Sequence, residues 1–102
     1  MITKEQFFYN VDHLPKQIFS GGKQHKMYTN IRRVNNVCSG QRESGSDFKI
    51  DLNALYQAYT DNDKINTNTL YKGGYVTGRW RSPSIAIMKY AGLIDENGLA
   101  NK

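Results

Sequence analysis

The chain has 102 residues, with 14 Lys and Arg against 9 Asp and Glu (formal net charge +5), 38% hydrophobic and 12% aromatic residues. That is the make-up of one globular domain spanning 1–102, with no second core expected. No apolar run approaches the ~20 residues of a membrane helix, the first residues lack a basic-then-apolar leader, and one Cys with two His is too few for a disulfide or a closed zinc site. A cytoplasmic domain with no membrane partner, metal or cofactor is therefore the expectation.

Thr3 and Gln6 stand at capping-box spacing, where hydroxyl and amide each satisfy a free backbone donor. Phe7, Val11 and Leu14 recur at helical intervals until Pro15, which predicts a helix from Lys4 to Asp12 within an N-terminal segment 1–15. Ser20-Gly21-Gly22 reads as a break. Met27, Thr29 and Ile31 alternate with Tyr28, Asn30 and Arg32 at the two-residue period of a strand, and the alternation slips near Arg33-Val34. Cys38 to Ser46 is loop by composition. Phe48 and Ile50 mark a second strand, paired with the first as an antiparallel hairpin within 26–50.

A helical module is expected over 51–94. Asp51 is a good N-cap, and Leu52, Leu55, Tyr56 and Tyr59 follow at amphipathic spacing. Asn66 or Thr67 caps a short helix that carries Leu70 and Tyr71 and is closed by Gly73-Gly74. Tyr75 to Arg81 reads as a loop or short strand. Ser82-Pro83 then signals a helix start, with a hydroxyl cap and proline at the first helical position. Ile85, Ile87, Met88 and Ala91 supply the apolar face, and Gly92 fits the left-handed terminator. Asn97-Gly98 is a tight-turn dipeptide in a tail over 95–102, so the C-terminus is expected to form a small hairpin or wing. The fold class is α+β: an N-terminal helix, a β-hairpin, and three helices in an arrangement like a helix-turn-helix, possible as a winged variant. Against the standard motif, 73–82 far exceeds its turn of about three to four residues.

Charge is segregated along the chain. Between Asp12 and Glu43 there is no acid, yet Lys16, Lys23, Lys26, Arg32, Arg33 and Arg42 lie there. Glu43, Asp47, Asp51, Asp61 and Asp63 then face only Lys49, after which Lys64, Lys72, Arg79, Arg81 and Lys89 run without an acid to Asp95. Two basic blocks flanking an acidic one would attract phosphates if folded to one side; the plainer alternative is a solvated cationic surface.

The strongest candidate site is Arg79, Trp80, Arg81 and Ser82, where two guanidiniums and a hydroxyl arrive at an expected helix N-terminus, itself an anion site. Trp80 is either a core anchor or a stacking platform for a base. Lys72 lies between Tyr71 and Tyr75, a basic–aromatic interleaving that suits nucleic acid. Lys26 and Arg33 supply a second patch; Arg32 and Arg33 point to opposite faces of a regular strand, so only one can join it. In a helix-turn-helix, Ser84 and Lys89 would face the groove beside Arg81.

Enzymatic alternatives are thin. Asp47-Phe48-Lys49 with Glu43 forms a short D-x-K triplet of the kind metal-dependent nucleases use, and Ser20-Gly21-Gly22-Lys23 lacks the spacing of a phosphate loop. Cys38 and His25 have nothing to place them together as nucleophile and base. The expectation is a non-enzymatic nucleic-acid-binding domain, with DNA preferred to RNA. The alternative is a small protein–protein interaction module, such as a phage or mobile-element inhibitor, that binds an acidic partner.

Overall fold

A computed structural model of the chain describes residues 1–21 and 25–102. Helix α1 (Lys4–Asp12) begins where the Thr3 hydroxyl accepts from the Gln6 amide, and it buries Phe7 and Val11. Four strands follow: β1 (Gln17–Phe19), β2 (Met27–Val34), β3 (Val37–Arg42) and β4 (Asp47–Asp51), paired antiparallel in the order β1-β2-β3-β4. Helices α2 (Leu52–Asp61) and α3 (Thr67–Lys72) come next. A 3-10 turn (Gly78–Trp80) then runs directly into α4 (Arg81–Tyr90). The molecule is thus a small α+β domain with a four-stranded antiparallel sheet and four α-helices among its described residues. Gly22 and Lys23, part of the expected glycine break and of the first basic block, lie outside the described residues.

Two corrections concern the sheet. The stretch from Val37 to Arg42, expected as loop from Cys38 onward, is β3, and it separates the two strands that were expected to pair with each other. Its Ser, Gly and Gln content has little strand preference; pairing on both sides, Arg33 with Cys38 and Cys38 with Ile50, holds it extended. β1 was not expected at all, because its three residues are too few to display a period. Ile18 nonetheless pairs with Tyr28 and is wholly buried.

The slip in β2 falls earlier than its alternation suggests. Thr29 opposes Gln41 and Arg32 opposes Ser39, so Asn30 and Ile31 together face Gly40 in a β-bulge, with Asn30 at φ 54°. The bulge exchanges the faces of the strand: Tyr28 points into the core before it, and Arg33, paired with buried Cys38, takes the inner side after it. Gly40 is required there. A Cβ on it would stand 2.4 Å from Phe48 Cζ, because the Phe48 ring lies over the glycine and meets Tyr28 edge-on at 5.9 Å.

Ile18, Tyr28, Cys38, Phe48 and Ile50 form the sheet's inner face, and α1, α2 and α4 supply Phe7, Leu55, Tyr59, Ile87 and Met88 to the same core. Asp51 caps α2 through the Asn53 amide, and Asn66 caps α3 in a reciprocal box with Thr69. Both α3 and α4 end in the same six-to-one closure: Tyr75 N donates to Leu70 O at 3.0 Å, and Leu93 N to Met88 O at 2.9 Å, around Gly74 (φ 72°) and Gly92 (φ 83°). Beyond α4, the turn 95–98 brings Leu99 opposite Lys64 and Ala100 opposite Ile94 as single β-bridges. Among the described residues no helix is long and apolar enough to cross a membrane.

Candidate nucleic-acid interface

The segment between α3 and α4 is tied down at several points. Tyr75 lies so close over Gly73 that a Cβ there would stand 2.2 Å from the ring. The Tyr75 hydroxyl donates to Asp61 Oδ2 at 2.7 Å. That bond, with one from Gln57, lowers the Asp61 carboxyl pKa, and the hydrogen bond to Asp61 raises that of the Tyr75 phenol. Val76 is buried, Gly78 takes φ 65°, and the chain winds through the 3-10 turn into α4.

The start of α4 therefore differs from the expectation at Ser82-Pro83. The helix begins at Arg81, Trp80 occupies the cap position without a side-chain cap bond, and Ser82 lies inside the first turn. Pro83 is accommodated there because the amides of a first turn have no intrahelical acceptor. The 3-10 turn leads without a break into α4, so the expected open N-terminus at Ser82 is not formed.

The nine residues singled out from the sequence separate into distinct environments. Arg79 is exposed and Trp80 is 39% exposed. Arg81 turns back on the segment: Nε donates to Gly78 O at 3.0 Å and the guanidinium lies 5.1 Å from the centre of the Tyr71 ring. Ser82 is half-buried beside it, and Lys72 is exposed in the last turn of α3. Ser84 is fully buried and donates its hydroxyl to Trp80 O at 2.7 Å, so it presents no surface to a ligand. Arg33 is committed to the fold: it grips Asp12 at 2.8 and 2.6 Å, donates to Asn35 O, and lies 5.1 Å from the Phe8 ring. Lys89, toward the other end of α4, lines depressions with Glu96 away from Arg79.

A residue absent from that set completes the group. Arg42, at the end of β3, and Ser46 and Asp47, across the β3–β4 turn, face Thr77, Arg79 and Trp80 over a cleft of about 390 Å³. The turn is closed by Arg42 N donating to Ser46 O at 2.9 Å and Gly45 N to Arg42 O at 2.8 Å. Arg42 also lines a smaller depression of about 180 Å³ with Lys26, Tyr28, Glu43 and Ser44. Lys26, Arg42 and Arg79, far apart in sequence, thus border two depressions that share Arg42. The ion pairs among the described residues are Arg33–Asp12 and Lys102–Asp63, so neither Arg42 nor Arg79 is in direct contact with a carboxylate, although Glu43 and Asp47 border the same two depressions. Arg42 was legible only as a member of the acid-free stretch; nothing local marks it as facing Arg79.

The D-x-K triplet lies on the sheet's exposed side, with Asp47 and Lys49 outward and Phe48 and Ile50 inward. Glu43 accepts from the Met27 amide at 3.0 Å. Among the described residues no group of three or more His, Cys, Asp or Glu is placed to hold a metal ion. Cys38 is fully buried. Burial pushes its thiol up to about 12, which is far from a nucleophile's range. Compared with family models, curated proteins and solved structures, the chain shows no match to any.

Proposed function

We propose that this domain is a cytoplasmic nucleic-acid-binding module without catalytic activity, which captures phosphates at Lys26, Arg42 and Arg79, around two depressions that share Arg42, with Lys72 and Arg81 as further contacts. The observation that carries the reading is the convergence of Arg42 and Arg79, from separate basic blocks, on one cleft without a neutralising ion pair. Unpaired guanidiniums on a basic domain (pI about 9.4) attract phosphate and offer it bidentate bonds. The single cysteine, free and buried, is in keeping with the cytoplasm.

A winged helix-turn-helix reading draws support from the chain order: α2, a bridge at Lys64, α3, α4, and a turn that returns to Lys64 and Ile94. Groove insertion by α4 draws less, since Pro83, Ser84, Ala86, Ile87 and Met88 are all buried. The contact surface proposed here is therefore the cleft rather than the helix.

Fluorescence anisotropy with labelled oligonucleotides over a salt series tests the proposal. Binding should weaken linearly on a logarithmic salt scale, and replacing both Arg42 and Arg79 by Ala should reduce the slope by about 1.4–1.8, at roughly 0.7–0.9 per lost phosphate contact. No binding at low salt would refute the proposal and favour an acidic protein partner.

A further inference from the structure

The nature of the cleft bears on which form of nucleic acid fits it. A duplex presents a convex, regular surface of phosphates, and proteins that read it insert a helix or ribbon into a groove. Here the cations do not crown a projecting helix. Arg42 and Arg79 border an open, shallow cleft between the β3–β4 turn and the 3-10 turn, with Trp80 at its edge. Trp80 is 39% exposed, although a lone Trp in a small domain would stabilise it more by full burial. Its backbone carbonyl accepts the Ser84 hydroxyl, a contact that does not involve the ring.

Ser46, Asp47 and Thr77 also border the cleft. Arginine for phosphate and a part-exposed indole for stacking are together the complement of a nucleotide whose base is free to leave the stack.

We infer that the cleft takes single-stranded nucleic acid, with a base stacked on Trp80 and the flanking phosphates on Arg42 and Arg79. This rests on the nucleic-acid reading above and adds strand form to it. A base inside a duplex cannot reach the indole without being extruded from the stack, which weakens binding. Single strands should therefore bind at least about tenfold tighter than a duplex of equal length.

The test uses the whole protein with labelled oligo(dT), oligo(rU) and a random-sequence DNA duplex at low salt, following both anisotropy and the fluorescence of Trp80, the chain's only tryptophan. The expected result is tighter binding of either single strand, with quenching of Trp80 on binding. The DNA and RNA arms then show which strand chemistry is preferred. Trp80→Ala should weaken single-strand binding by about fivefold or more, whereas Trp80→Phe should retain most of it. Quenching in the unmodified protein needs no variant, so the test survives even if Trp80→Ala fails to fold. Equal or tighter duplex binding without quenching would overturn the single-strand inference and leave phosphate capture standing. Absence of binding to all three probes would remove both.

Discussion

The Arg33 guanidinium closes on the Asp12 carboxylate through two hydrogen bonds of 2.8 and 2.6 Å, fastening β2 to the end of α1. The Arg33 hydrogen bond holds the Asp12 carboxyl below its ordinary value of 3.8. A carboxyl lowered in the folded state contributes stability that is present above its unfolded value and lost as pH falls through the folded one. Arg33→Ala should therefore cost about 1 kcal/mol at neutral pH, a fair figure for a bidentate but part-exposed pair. The deficit should shrink well below pH 3.8. Urea midpoints for both proteins at the two pH values measure it; a deficit independent of pH would assign the loss to packing on Phe8 instead.

Gly40→Ala places a methyl group 2.4 Å from Phe48 Cζ and 3.1 Å from Thr29 O, directly under the β2 bulge. Overpacking of this kind costs about 1–3 kcal/mol. Thermal unfolding should show it as a lower Tm, and Phe48→Leu in the same chain should recover part of the loss by vacating the ring's space.

The Tyr59 hydroxyl accepts from Ile2 N at 2.9 Å and donates to Asn101 O, joining the two ends of the chain through α2. Tyr59→Phe leaves both backbone groups without that partner and should cost about 1–3 kcal/mol. Amide hydrogen exchange should accelerate in the tail over 95–102 more than in the sheet, and a uniform change would contradict this local role.

Cys38 combines complete burial with a thiol pushed up to about 12. A thiol-specific reagent at neutral pH should label the native protein at the rate of unfolding and the urea-denatured protein at once. Rapid stoichiometric labelling of the native state would mean that the sheet opens locally around β3.

Ser84 and Arg79 should separate stability from binding. Ser84→Ala removes the 2.7 Å bond to Trp80 O and should lower stability by about 1 kcal/mol with little change in nucleic-acid affinity. Arg79→Ala should do the reverse. Circular dichroism melts together with anisotropy on both variants would display the crossing.

Much of the secondary structure was readable locally. Thr3, Asp51 and Asn66 each satisfy amides within three residues, and Gly92 ends α4 by its own conformation. These interactions lie within one turn of chain, so short windows of sequence contain both partners. The start of α4 escaped because a 3-10 turn, held by Arg81 on Gly78, preceded the Ser82-Pro83 signal.

The sequence by itself determined three helix caps, the amphipathic face of α2, and the segregation of basic from acidic residues. Only the tertiary structure decided that Val37 to Arg42 is a strand, that a bulge at Asn30 exchanges the faces of β2, and that Arg33 is spent on Asp12 while Arg42 and Arg79 make no ion pair among the described residues and face one another over a cleft. The physical reason is range. A cap or helix face is settled by neighbours three or four residues away, whereas strand pairing, burial and the pairing of a charge depend on partners brought together from distant parts of the chain.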